Sequence, residues 1–217
     1  MTLILTDCDG VLLNWENSFI EWMTEQGFSA DPNDNSYDMH KRFGERKAKI
    51  KQLVREFNNS AWIGFLKPHK DAVFGVTELA SKGWRFGAIT SLSEDEYAKK
   101  LREYNLEQLF GDVFDFVTCI DTGADKDEAL LPYKDSGLYW IEDKPENAKL
   151  GVDFGLKTIM FRYFNVYGEG QHKTGQYAPV MSIFKKQKDD QEPLTIVEPG
   201  YQRRDFVHVS DVVYANI

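Results

Sequence analysis

The order of strand-like and helix-like segments constrains the fold of this chain more than any other feature of its sequence. Short apolar segments with the character of buried strands lie at 3–6, 84–91, 114–120, 137–143 and 156–161. Helical patterns separate the later strands, at 69–82, 93–104 and 145–154. Ser93 and Glu96 form a capping-box pattern at the start of the second of these helices. Strands that alternate with helices are typical of a parallel sheet covered by helices on both faces. We therefore predict an α/β fold.

A helical stretch interrupts this alternation after the first strand. Residues 16–27 carry apolar side chains at helical spacing, and residues 38–58 predict a second, basic and amphipathic helix. The alternation of strands and helices begins again after Pro68. We therefore interpret residues 14–66 as a helical insertion at one end of the sheet.

Composition excludes several classes of partner. The chain has 217 residues, of which 42% are hydrophobic, and this is enough for a packed core with an insertion or appendage. A net charge of −9 argues against nucleic acid or an anionic membrane as the partner. There is no signal-peptide pattern, and Cys8 and Cys119 have neither metal-site nor disulfide-framework spacing. We therefore expect a soluble, cytoplasmic protein.

Polar side chains follow four of the predicted strands at their carboxyl ends, where open α/β sheets bind their ligands. They are Asp7 and Asp9, Thr90 and Ser91, Lys126, and Glu142 and Asp143. Four clustered carboxylates require a cation. Oxygen ligands select Mg²⁺, which commonly also binds a substrate phosphate. The sequence therefore predicts a Mg²⁺ site at this edge of the sheet.

The same positions resemble the motifs of the haloacid dehalogenase (HAD) superfamily. The matching segments are DCDGV (7–11), ITS (89–91), Lys126 and IEDKPENA (141–148), and the resemblance covers residues 1–162. It implies a Rossmann-like HAD core with a small helical cap. The implied boundaries are 1–13 and 67–162 for the core and 14–66 for the cap.

The resemblance also implies a role for each matching residue. Asp7 is the nucleophile that forms an aspartyl-phosphate. Asp9 is the general acid and then the base that activates water, and its backbone carbonyl also binds the metal. Thr90 donates a hydrogen bond to the phosphoryl oxygens, and Lys126 neutralises the nucleophile and the developing charge. The predicted metal ligands are Asp7, Asp9, Asp143 and, beside it, Glu142.

Simpler interpretations exist for some of these residues. A pair of aspartates at a strand end also occurs as a turn or helix cap, Thr90 could cap a helix, and Lys134 competes with Lys126. We interpret five aromatic residues of the cap as its core rather than as a nucleobase platform: Trp15, Trp22, Phe43, Trp62 and Phe65. We interpret four basic residues as a solvated face rather than an anion-attracting surface: Lys41, Arg42, Arg46 and Lys47.

The last quarter of the chain has a different character. The segments FRYFNVYGEGQHKTG (161–175) and YQRRDFVHVSDVV (201–213) resemble extended short-chain dehydrogenases that epimerise nucleotide sugars, such as the ADP-heptose epimerases. That resemblance implies contacts to a nucleotide sugar from Asn165 and from Arg203 or Arg204. Surface ion pairing is the simpler interpretation of the two arginines.

Two parts of an epimerase are missing from the sequence. Residues 7–13 read DCDGVLL, which is not a glycine-rich dinucleotide turn. The segment YAKK (97–100) has Tyr-x-x-x-Lys spacing but lies in the helix after Thr90. We therefore interpret residues 163–217 as an epimerase-like C-terminal fragment that packs on the core, mediates homo-oligomer formation or stays partly mobile.

Together these patterns predict a Mg²⁺-dependent phosphomonoester hydrolase that acts through an aspartyl-phosphate on a small phosphorylated metabolite, a nucleotide or a sugar phosphate. No other cofactor is expected. Two alternatives are a non-catalytic module that binds a nucleotide sugar or a partner, and a fragment of an NAD-dependent nucleotide-sugar epimerase. The complete set of acidic and basic motif residues favours the hydrolase.

Overall fold

The computed structural model describes residues 2–31, 34, 38–159, 163, 165–171 and 178–216. The chain divides into two compact units, Met1–Met160 and Phe161–Ile217. Within the described ranges, no helix combines the length and the apolar character needed to cross a membrane.

The first unit is built on a parallel four-stranded sheet with the strand order β3-β2-β1-β4. Its elements are β1 (Thr2–Thr6), α1 (Trp15–Glu25), α2 (Met39–Arg42), α3 (Lys47–Asn58), α4 (Ala72–Ser81), β2 (Trp84–Ser91), α5 (Glu96–Phe110), β3 (Phe114–Ile120), α6 (Asp127–Leu130), β4 (Tyr139–Ile141) and α7 (Pro145–Asp153). Two 3-10 helices lie at Ala61–Phe65 and Leu131–Tyr133. The predicted α/β class is confirmed.

Both faces of this sheet are buried. Successive strand residues point to opposite faces, and Ile4 and Phe86 pack in one apolar cluster while Leu5 and Ile89 pack in another. The first cluster includes residues of the cap and of α5, and the second includes Trp140 of β4. Burial of both faces is why the middle parts of β1 and β2 are continuously apolar.

The described part of residues 14–66, the segment predicted to be the cap, is largely helical and has an aromatic core. The rings of Phe19 and Phe57 are fully buried and lie 5.5 Å apart. Trp15 stacks on Phe19 with ring centroids 4.8 Å apart. Trp22, Phe43 and Trp62 contact the same pair of rings. Phe65 differs from the other predicted core aromatics because it is 69% exposed.

The two ends of the cap lie side by side. Leu13 and Pro68 form an antiparallel bridge, and the amide of Asn14 donates to the carbonyl of Lys67 at 2.9 Å. Further along, Arg55 of α3 makes two 2.9 Å hydrogen bonds to the carboxylate of Asp121, which follows β3. The cap is therefore joined to the core at its base and along α3.

Two predicted helix boundaries are wrong for local reasons. The segment 38–58 is two helices, α2 and α3, because Gly44 has a φ of +62° that a continuous helix cannot contain. The N-cap residue of helix α5 is Asp95, whose carboxylate accepts hydrogen bonds from the amides of Tyr97 and Ala98, each at 2.9 Å. Ser93 lies two residues before Asp95, and its hydroxyl instead accepts a hydrogen bond from the amide of Asp95 at 3.1 Å.

The last predicted strand spans 156–161, and its described residues, 156–159, do not form a strand. Instead, Lys157 forms an isolated parallel bridge to Tyr139 of β4. The amide of Lys157 donates to the carbonyl of Leu138 at 2.8 Å, and its carbonyl accepts from the amide of Trp140 at 3.2 Å. Residues 160 and 161 lie outside the described residues.

The second unit is small and carries exposed apolar side chains. It contains β5 (Val166–Tyr167) and β6 (Val207–His208), which pair in parallel, and the helices α8 (Val180–Asp189) and α9 (Val209–Asn216). The side chains exposed by more than 70% are Ile196, Val197, Tyr201 and Tyr214.

Substitution by alanine is expected to have opposite effects on stability at two helical glycines of the first unit, Gly151 and Gly75. A Cβ on Gly151 of α7 would overlap Cδ1 of the buried Trp140 and lie 2.7 Å from the Thr158 Oγ1, whereas a Cβ on Gly75 of α4 would meet nothing. We expect Gly151→Ala to lower the free energy of unfolding by about 1–3 kcal/mol. Gly75→Ala should raise it by up to about 1 kcal/mol. Urea unfolding followed by tryptophan fluorescence measures both, and equal stabilities would contradict the packing at Gly151.

Candidate active site

The four polar segments that follow the predicted strands all lie at the carboxyl edge of the sheet. The register places Thr6 of β1 beside Ala88 and Ile141, so the residues that follow β1 and β4 are neighbours. The amide of Asp7 extends this pairing by donating to the carbonyl of Ile141 at 2.9 Å. A cavity of about 460 Å³ opens above this edge.

Lys126 connects the carboxylates at this edge. Its Nζ lies 2.8 Å from the Asp7 Oδ2 and 2.7 Å from the Glu142 Oε2. The side chain is 1% exposed and passes over the ring of Trp140, with Nζ 5.2 Å from the ring centroid. Lys134, the alternative candidate, is exposed. The structure therefore brings Lys126, and not Lys134, to the site.

Asp7 is buried and oriented. Its Oδ1 accepts a hydrogen bond from the amide of Cys8 at 2.7 Å, while its Oδ2 faces Lys126. Burial raises the pKa of Asp7, the Lys126 ammonium opposes that rise, and the negative charge of Glu142 adds to it. Lys126 therefore offsets only part of the effect of burying this carboxylate beside Glu142.

Three carboxylates form an acidic cluster: Asp7, Glu142 and Asp143. Each offers an oxygen within 4.8 Å of the others. Burial also raises the pKa of Asp143. With all three ionised and Lys126 protonated, the cluster has a net charge of −2, which a divalent cation would balance. The oxygen-only donor set fits Mg²⁺.

The members of this acidic cluster differ in how many hydrogen bonds they already accept. Glu142 accepts from Lys126, from the amide of Lys144 at 3.0 Å and from the Asn147 side chain at 3.1 Å. These bonds fix Glu142 beside Lys126.

The position of Asp143 requires a glycine at residue 10. A Cβ on Gly10 would overlap the Asp143 Oδ2 and lie 2.7 Å from its Cγ.

The carboxylate of Asp9 lies outside the acidic cluster because Arg102 holds it. The Nη1 and Nη2 of Arg102 lie 2.7 Å and 3.0 Å from the two carboxylate oxygens of Asp9. Burial raises the pKa of Asp9, and the arginine opposes that rise. Asp9 still lines the cavity together with Asp7.

Arg102 is a site residue that the sequence analysis missed. It lies on the face of α5 that includes Ala98, Asn105 and Leu106, all buried. The sequence does place Arg102 at helical spacing from the apolar Ala98 and Leu106. This spacing indicates a charged residue on the buried face of the helix, but it does not show which carboxylate the arginine pairs with.

Thr90 is fully buried at the floor of the cavity. Its hydroxyl has no hydrogen-bond partner among the residues that the structure describes. The neighbouring Ser91 is engaged, since its hydroxyl donates to the carbonyl of Ala124 at 3.0 Å. An unpartnered buried hydroxyl costs about 1–3 kcal/mol unless water or a ligand satisfies it. Thr90 is therefore available to a ligand in the cavity.

The cap and the segment after it supply the other side of the cavity. Their lining residues are Trp15, Glu16, Met39, Val54, Asn58 and His69. Asn58 is fixed there, accepting from the Trp15 indole at 2.9 Å and donating to the carbonyl of Leu92 at 3.0 Å. This side of the cavity therefore mixes apolar, amide and carboxylate groups.

The four basic cap residues do not line this cavity in the described part of the chain. Arg42 pairs with Glu16, and Lys41 pairs with Asp38 at 3.3 Å. Lys47 is the first residue of α3, and Arg46 is the N-cap residue before it.

The predicted nucleotide-sugar contacts of the second unit are exposed. Asn165 has a φ of +48°, and the Arg204 Nη1 donates to the carbonyl of Arg203 at 2.8 Å. A separate cavity of about 510 Å³ in this unit is lined by residues that include Lys185 and His208. Asn165, Arg203 and Arg204 are not among its described lining residues.

A family model confirms the epimerase resemblance of the C-terminal segment. The model of the NAD-dependent epimerase/dehydratase family matches residues 147–217, so it begins inside α7. A dTDP-4-dehydro-6-deoxyglucose reductase from Escherichia coli is 32% identical over 95 residues, covering 44% of this chain and 30% of that protein.

A second relative matches a longer part of the chain. It is an uncharacterised 32.4 kDa protein of enterobacteria phage T4, 26% identical over 148 residues, covering 64% of this chain and 53% of that protein. The chain therefore spans about half or less of the length of these two relatives.

Solved structures of similar fold include hydrolases of the HAD superfamily. One of the similar structures is a hydrolase from Streptococcus pneumoniae TIGR4, which is 13% identical with a TM-score of 0.47. The match covers 74% of this chain and 92% of that chain.

The net charge of the acidic cluster predicts that Mg²⁺ stabilises the protein. A ligand at about 100 times its Kd adds about 2.7 kcal/mol to the free energy of unfolding. We expect Mg²⁺ to raise the Tm of the wild type and to have a much smaller effect on Asp143→Asn. Glu107→Gln, which removes an exposed carboxylate of α5, is the matched control and should respond like the wild type. Equal Mg²⁺ responses of the two variants would contradict the assignment of Asp143.

Proposed function

We propose that the chain is a HAD-type phosphatase that hydrolyses a small phosphorylated metabolite with Mg²⁺ as its cofactor. The observation that carries this proposal is the buried Lys126 between Asp7 and Glu142, in an acidic cluster whose net charge of −2 matches a divalent cation. A structural salt bridge needs no such surplus of negative charge.

Asp7 is placed to act as the nucleophile. Its Oδ1 is held by the Cys8 amide and its Oδ2 by Lys126, so the side chain cannot rotate away from the cavity. One Asp7 oxygen attacks phosphorus, the bond from phosphorus to the leaving oxygen breaks, and an aspartyl-phosphate forms. Lys126 lowers the negative charge that the attacking carboxylate presents to the anionic phosphate.

The remaining residues bind or orient. Thr90 donates its otherwise unpartnered hydroxyl to a phosphoryl oxygen. Asp7, Asp143 and the backbone carbonyl of Asp9 would hold Mg²⁺, with Glu142 beside them. When bound, the ion would withdraw charge from the phosphoryl oxygens. Asp9 serves as general acid for the leaving group and then as the base that activates water.

The cap side of the cavity would contain the leaving group. Its mixture of an indole, an amide and a carboxylate suits a hydroxylated leaving group such as the sugar part of a sugar phosphate or nucleotide. Because the cap covers the site, it would also exclude bulk water during phosphoryl transfer.

The primary test is hydrolysis of p-nitrophenyl phosphate and a panel of sugar phosphates and nucleotides, with and without Mg²⁺. We expect Mg²⁺-dependent release of phosphate, and a loss of about 10³-fold or more in kcat for Asp7→Asn. Asp115→Asn, at the opposite end of the sheet on β3, is the matched control and should retain activity. Absence of turnover by the folded wild type with Mg²⁺ would overturn the phosphatase proposal.

A second candidate function concerns residues 161–217. The epimerase family match favours a module that binds a nucleotide sugar. The absence of a glycine-rich turn and of a Tyr-x-x-x-Lys pair in the right context argues against hydride transfer by this chain alone. The exposed apolar side chains of this unit also support self-association.

Calorimetric titration with UDP-glucose tests the binding module. We expect binding that weakens in the double variant Arg203→Ala/Arg204→Ala and is unchanged in Lys186→Ala, which removes an exposed charge of α8. No heat of binding with UDP-glucose or ADP-glucose would contradict this candidate. Tight binding of NAD would instead favour the epimerase alternative.

A further inference from the structure

Arg102 has no role in the mechanism proposed above, yet it is one of the most completely buried side chains in the first unit. It is 0% exposed and contacts both carboxylate oxygens of Asp9, at 2.7 Å and 3.0 Å. Such a two-point contact fixes the plane of the carboxylate as well as its position.

Packing does not explain an arginine at this position. Its helix neighbours Ala98 and Leu106 pack in the apolar core, and its Nε has no partner among the described residues. Apolar side chains of similar volume commonly replace buried ion pairs without loss of stability. What Arg102 supplies beyond packing is therefore a charge that neutralises the Asp9 carboxylate and a two-point contact that fixes its orientation.

We propose, on the basis of the phosphatase function above, that Arg102 is a positioning residue that orients Asp9 for the hydrolytic half of the reaction. A water molecule that attacks the aspartyl-phosphate must donate a hydrogen bond, so it needs an acceptor held in one place. Asp9 is such an acceptor, because the Nη1 and Nη2 of Arg102 donate hydrogen bonds to its two carboxylate oxygens. With p-nitrophenyl phosphate the leaving group departs as nitrophenolate and needs no proton from Asp9, so the first half-reaction with this substrate depends little on Arg102.

The step in question balances without any other reactant. The water oxygen attacks the phosphorus of the phosphorylated Asp7, and one water proton passes to an oxygen of Asp9. The bond between phosphorus and the Asp7 oxygen breaks, and its electron pair restores the Asp7 carboxylate. The product is inorganic phosphate, and Asp9 then loses its proton to solvent.

Rapid mixing with p-nitrophenyl phosphate and Mg²⁺ separates the two half-reactions, because release of nitrophenolate reports phosphorylation of Asp7. For Arg102→Met we expect a burst close to one equivalent, at a rate within about threefold of the wild type, followed by turnover slowed by about 10²–10⁴-fold. KM should fall together with kcat, since the phosphorylated enzyme accumulates. Arg102→Lys should recover part of the turnover.

Arg85→Met is the matched control. Arg85 pairs with Asp112 and Asp115 at the opposite end of the sheet, so its loss should leave burst and turnover unchanged. A parallel fall of burst and turnover in Arg102→Met would overturn the proposal, and so would unchanged turnover.

A second measurement applies if Arg102→Met does not fold. Asp9→Asn should then retain the nitrophenolate burst and lose steady-state turnover, whereas loss of the burst would overturn the proposal. Absence of both burst and turnover in the wild type would contradict the phosphatase function itself, so the two failures are distinguishable.

Discussion

A buried lysine between two carboxylates is the interaction on which this site depends. Lys126 is nearly inaccessible to solvent, and it contacts Asp7 from β1 and Glu142 from the end of β4. Without it, three carboxylates, of which Asp7 and Glu142 have buried side chains, would lie within 4.8 Å of one another, which would be strongly unfavourable. The lysine thus allows the acidic cluster to exist and still leaves it short of positive charge.

Much of the site could be predicted from sequence, because the ends of parallel strands meet at one edge of a sheet. Asp7, Thr90 and Asp143 follow or end strands that are recognisable from their apolar runs, and the fold brings them together. Arg102 could not be predicted in the same way. It lies on a helix, and the pairing of Arg102 with Asp9 depends on how α5 packs against the sheet. The break at Gly44 was missed because the helical spacing continues across it.

The epimerase match divides the chain differently from its compact units. It begins at residue 147, inside α7, whereas the second unit begins at Phe161. The first turn of α7 belongs to the site, since the Asn147 side chain donates to Glu142 and its carbonyl accepts from the Trp140 indole at 3.1 Å. Residues that match the epimerase family therefore also support the acidic cluster of the first unit.

The way the two ends of the cap are joined to the core affects how the cap can change during evolution. Leu13 and Pro68 are bridged, and Asn14 is hydrogen-bonded to Lys67, so the cap leaves the core and returns to it at a single point. A segment joined in this way can be lengthened, shortened or exchanged without changing the register of any strand. The side chains that the cap contributes to the cavity can therefore diverge while the residues at the strand ends stay as they are. A cap transplanted from another protein would need matching ends at these positions, and also the apolar packing and the Arg55–Asp121 contact that join the cap to the core.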